Sequence, residues 1–92
     1  MNKSELIDTV AKQTGQTKAA VAAIVNATLD TVQAAVAAGD RMEVKGFGVF
    51  ERRFREGGER RNPQGGTVQV AAKHVPSFKA GAGFKQAVNS AA

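Results

Sequence analysis

The chain has 92 residues, one domain's worth and near the lower limit for burying a core alone, so a dimer is in view from the outset. It has no cysteine, which excludes disulfides and thiolate metal sites, and its single histidine, His74, makes no metal cluster. Net charge is +5, yet residues 1–50 hold five basic and five acidic side chains while residues 51–92 hold eight and three, so a neutral body joins an anion-binding half.

The opening MNKSELIDTV is charged and amphipathic and does not read as a signal peptide. No apolar run approaches 18 residues, so no membrane span is expected. Asn2 and Glu5 have the spacing of a capping box, and Leu6, Ile7, Val10 and Ala11 follow at helical steps. Gly15 ends this helix, expected over about residues 3–14. Thr17 caps the next, which runs without Gly or Pro from Lys18 to Ala38 and is stopped by Gly39. Val21, Ile24, Val25, Thr28, Leu29, Val32, Ala35 and Val36 form a broad apolar stripe along it. Two helices alone leave that stripe uncovered; a sheet, a second subunit or both must pack on it.

Met42 and Val44 alternate with Arg41, Glu43 and Lys45 as in a short strand. GFGVF at 46–50 supplies a tight turn and two large apolar rings, Phe47 and Phe50, expected in the core. The next eleven residues, ERRFREGGERR, contain one large apolar side chain, Phe54. TVQVAAKHV at 67–75 returns the chain, and NPQGG separates the two segments. This reads as a polar β-ribbon with a turn at its end. A nine-residue strand at about 3.3 Å per residue spans roughly 30 Å, so the ribbon projects into solvent, or forms a disordered basic loop when free. VPSFK brings back an apolar residue, Phe78. A last helix is expected after Gly81, through about Asn89, where Phe84 and Val88 share a face, with NSAA frayed.

Arg52, Arg53, Arg55, Arg60 and Arg61 lie on the outgoing side and Lys73 on the return. Their forked or ammonium donors suit phosphate. In extended chain Arg53 and Arg55 point one way and Arg52 the other. Pro63 lacks an N–H and suits the tip; its rigid apolar ring has the form of a wedge that enters stacked bases from the minor groove. A plain turn is the simpler account of RRNPQGG on its own, and the arginine-lined setting is what favours the wedge. Arg61 and Asn62 flank it. Glu51, Glu56 and Glu59 are mixed with arginines outside any evident pocket, so no catalytic site, cofactor or metal is expected.

MNKSELIDTVA, GFGVFERR, RNPQGG and VPSFKAG occur in an order and spacing that resembles the bacterial histone-like HU family, of the same superfamily as integration host factor. The resemblance covers essentially the whole chain. It implies an α+β intertwined dimer: two N-terminal helices, a small antiparallel sheet, a protruding ribbon arm over 51–75, and a return strand and C-terminal helix over 76–92, all in one DNA-binding domain. It implies a dimer core matched by Phe47, Phe50 and Phe78, an intercalating Pro63, and flanking DNA contacts from Lys3, Lys79 and Lys85, with Lys18 as readily a plain surface residue. Three departures stand out: a return arm one residue shorter with Gly65 where threonine is common, Ala71 where a second arm proline is common, and Ala82 where a lysine is common.

The function expected is architectural: binding and bending of double-stranded DNA with low sequence specificity by a homodimer, in the cytoplasmic nucleoid. Affinity is to come mostly from phosphate neutralisation by Arg53, Arg55, Arg60, Arg61 and Lys73 with the body lysines, while Asn62 beside Arg61 is to reach groove-edge acceptors and nearby sugar–phosphate groups. Bent, nicked or A·T-rich duplexes are to be favoured because they deform at lower cost. The alternatives are a site-specific bending subunit like integration host factor, RNA binding, and a protein–protein scaffold.

Overall fold

The computed structural model describes residues 1–91. The chain divides into two compact units, Met1–Ala34 and the segment from Ala35 onward.

The first unit contains α1 (Lys3–Thr14) and most of α2 (Lys18–Ala37). Asn2 caps α1 as expected: its side-chain oxygen accepts from the Glu5 N–H at 2.9 Å. Gly15 closes the helix in the left-handed conformation. Thr17 caps α2, its Oγ1 accepting from the Ala20 N–H at 3.1 Å. Lys3 Nζ donates to Asn26 Oδ1 at 2.7 Å and Lys18 pairs with Asp8 at 3.2 Å. These two links join the start of α1 to the middle of α2 and the middle of α1 to the start of α2, so the helices run antiparallel. Ala11 and Val21 are buried, whereas Ile24 and Leu29 on the expected stripe stand 65% and 49% exposed.

Helix α2 bears on the expectation that no segment spans a membrane without overturning it, since the core helix of a soluble protein has the same length and composition. By length and composition it qualifies as a helix able to cross a membrane. Asn26, Thr28, Asp30, Thr31 and Gln33 interrupt any continuous apolar run, but Ala, Val, Ile and Leu dominate the average, and Lys18 and Asp30 are its only charges.

The second unit begins with the end of α2. The N–H of Gly39 donates to Val36 O at 3.0 Å and that of Asp40 to Ala35 O at 2.9 Å, the two bonds of a Schellman motif. Gly39 sits at φ 87°, the conformation this motif demands of its C′ residue.

Strands β1 (Met42–Val44), β2 (Gly48–Arg55) and β5 (Lys73–Ala80) form an antiparallel sheet in the order β1-β2-β5; β3 (Gly58–Arg61) and β4 (Thr67–Val70) form a separate two-stranded ribbon. The β2–β5 ladder runs without interruption from Gly48–Ala80 to Arg55–Lys73. The expected arm from residue 51 is therefore rooted in the sheet, and only its outer part, β3–β4, stands as an independent hairpin.

Phe47, Phe50, Phe78 and Phe84 gather into one aromatic cluster, with ring centroids 4.7 Å apart for Phe50 and Phe78 and 5.1 Å for Phe47 and Phe84. The Gly81 N–H donates to Phe47 O at 2.8 Å and fixes the start of α3 (Ala82–Ala91) beside the cluster. Phe47 and Phe78 remain 46% and 43% exposed in the single chain, so this core is open on one side. Helix α3 continues through Ser90 to Ala91, past the expected end at Asn89, because AVNSA contains no breaker; the remainder of the expected frayed end, Ala92, lies outside the described residues.

Candidate nucleic-acid interface

Strand alternation and the β2–β5 register sort the basic residues. Phe50 pairs with Phe78, Arg52 with Pro76 and Phe54 with His74, placing these six on one face. Val49 pairs with Lys79, Glu51 with Ser77, Arg53 with Val75 and Arg55 with Lys73 on the other. Arg53, Arg55, Lys73 and Lys79 thus share the face opposite the aromatic cluster. The sequence-based separation of Arg53 and Arg55 from Arg52 holds.

This cationic face has an unfavourable feature by itself. Arg55 and Lys73 stand directly opposite one another, and like charges at such a position destabilise a strand pair. Among the described residues neither has an acidic partner within ion-pair distance, nor do Arg61, Lys79 and Lys85. Glu51, on the same face, lies 3.8 Å from Arg53 and 3.9 Å from Arg41. The residual field is positive and solvent-facing, and a polyanion relieves it.

The ribbon ends in a tight turn. The Gly65 N–H donates to Asn62 O at 2.9 Å, the Asn62 N–H to Gly66 O at 3.0 Å, and the Gln64 N–H to Asn62 Oδ1 at 3.0 Å. Asn62 is thereby a structural residue of the turn as well as a candidate contact. Pro63, at the second position, is exposed and carries no ladder donor, as expected. Gly65 and Gly66 at φ 103° and 77° let the chain return.

Two arginines are engaged elsewhere. Arg52 Nη1 donates to Ala37 O at 3.1 Å at the end of α2, and Arg60 donates to the carbonyls of Glu59 and Glu56 at 3.2 and 3.3 Å. Sequence periodicity gave no sign of either contact. Nor did it reveal that Phe54 and His74, both exposed, pack together across the arm root with centroids 5.3 Å apart. Lys85 is exposed on α3, and Lys3 belongs to the first unit, where Asn26 holds its ammonium. No group of three or more His, Asp or Glu able to hold a metal occurs among the described residues.

A small α+β body whose sheet extends into a cationic, proline-tipped ribbon defines a nucleic-acid-binding class of protein. The chain belongs to the bacterial DNA-binding protein family, whose model matches residues 1–89. It is similar to DNA-binding protein HRL18 of Rhizobium leguminosarum, 45% identical over 91 residues that cover 98% of this chain and 100% of the relative. DNA-binding protein HU of Streptococcus pyogenes is 46% identical over 88 residues, covering 95% of this chain and 97% of the relative. Among solved structures, Anabaena HU in a cocrystal with DNA matches with a TM-score of 0.88 at 42% identity, covering 96% of this chain and 97% of that one. HU from Thermotoga maritima matches with a TM-score of 0.70 at 36% identity, covering 96% and 98%.

Proposed function

We propose that the chain acts as a homodimer, one DNA-binding domain per subunit, that binds double-stranded DNA with low sequence specificity and bends it. The observation that carries this reading is the unrelieved Arg55–Lys73 pair on a face shared with Arg53 and Lys79. Phosphates supply the missing counter-charge, and Lys3 and Lys85 add to it from the body. Arg61, Asn62 and Pro63 at the tip enter the minor groove, where Pro63 wedges between bases and offsets part of the bending cost. Minor-groove edges distinguish base pairs poorly, so nicked, prebent or A·T-rich duplexes are favoured through their lower deformation energy.

The open aromatic cluster supports the dimer. Phe47 and Phe78 are left partly exposed, and among the described residues no large side chain is fully buried in one chain. A second copy covering Phe47, Phe50 and Phe78 removes that surface from water. Family membership and duplex binding together favour a place in the cytoplasmic nucleoid.

The test combines mass in solution with binding to intact and nicked duplexes at one salt concentration. A dimer that prefers the nicked form is expected. A monomer would overturn the oligomeric reading, and equal affinity would overturn the bending preference. Unlabelled RNA competing as well as nicked DNA would move the assignment to RNA.

A further inference from the structure

The arm has a break that its register does not explain. Pairing stops at Arg55–Lys73 and resumes at Gly58–Val70. Glu56 and Gly57 on the outgoing side face Ala71 and Ala72 on the return, so no residue is inserted and the interruption is not a bulge.

Its cause is local. A Cβ on Gly57 would fall on the carbonyl oxygen of Val70 and lie 2.7 Å from Ala72 N, so the return backbone crosses where a side chain would begin. Gly58 follows at φ 146°, a region favouring glycine. The two glycines give the ribbon a joint. Arg60, two residues further out, turns back over it: Nη2 donates to Glu56 O at 3.3 Å on the inner side, and Nη1 to Glu59 O at 3.2 Å on the outer side.

We propose that Arg60 is a positioning residue that braces the Gly57–Gly58 joint and so sets where the tip carrying Pro63 points. It is not a DNA contact like Arg61, although the sequence places the two side by side. A forked guanidinium reaches two carbonyls at once, whereas an ammonium is a single point of donation. The brace is a property of the free arm; its effect on bending rests on the DNA reading above.

The experiment compares the wild type with Arg60→Ala, Arg60→Lys and Arg61→Ala. In free protein, residual dipolar couplings are recorded for the amides of β3–β4 and, as an internal reference, β2. Couplings of β3–β4 should fall about twofold relative to β2 in both Arg60 variants as the tip samples more orientations, while Arg61→Ala leaves them unchanged. On a nicked duplex, Arg61→Ala should reduce the slope of log affinity against log salt by about 1 for each copy that meets the DNA, whereas Arg60→Ala should keep the slope and lower the bend angle. Unchanged couplings in Arg60→Lys, or a salt-slope loss in Arg60→Ala equal to that of Arg61→Ala, would overturn the brace. If the wild type fails to bind duplex DNA, the functional reading falls and the couplings alone decide the brace.

Discussion

The guanidinium of Arg52 donates to the carbonyl oxygen of Ala37 at 3.1 Å and supplies an acceptor's partner that the Schellman bonds do not provide. Those bonds use the carbonyls of Ala35 and Val36; Ala37 is the next along. Arg52 therefore fastens β2, the root of the arm, to the end of α2. Arg52→Ala should lower stability by about 1 kcal/mol and the melting temperature by roughly 5 °C. The salt dependence of DNA binding should not change, since the group is already occupied. Thermal melts and a salt titration check both.

Arg55→Ala should behave in the opposite way. Removing one of two facing cations leaves the free protein no less stable. The salt slope of duplex binding should fall by about 1 for each copy that meets a phosphate. A melt and a binding titration on the same preparation separate the two effects.

Pro63→Ala addresses the wedge. The turn retains its Asn62 bonds, because none uses Pro63 as a donor. Association and its salt slope should survive while the bend angle drops, as read by energy transfer between duplex ends. An unchanged bend would remove the special role of this ring.

Phe47→Ala tests the open core. For a dimer the wild-type melting midpoint should rise with protein concentration. If the partner covers this ring, truncation should cost about 3 kcal/mol or more. Sedimentation should then show a shift toward monomer or unfolded chain.

Much of the helical structure was legible because its stops are chemical. Asn2, Gly15, Thr17 and Gly39 each act through their own backbone or a short side chain, so their effect is local. The division of Arg53 and Arg55 from Arg52 was legible for the same reason, since strand alternation requires only extended chain. The engagement of Arg52 and Arg60 was not. Arg52 depends on the end of α2 and β2 arriving together, and Arg60 on an interruption that arises only when the return strand crosses Gly57. The joint itself was hidden because Gly57–Gly58 reads as ordinary loop punctuation, and its close crossing belongs to residues more than ten positions away. The length of α3 was missed because small residues near a chain end read as fraying, yet nothing in them opposes a helix.

The unbroken register from Gly48 to Arg61 limits how this arm can be remodelled. Lengthening one side alone leaves the opposing residues out of step. Adding one residue to each side restores the partners but turns every outer side chain to the reverse surface. Grafts that extend the reach while keeping Arg61 on its present side must come as two residues per strand, a quantum of about 7 Å.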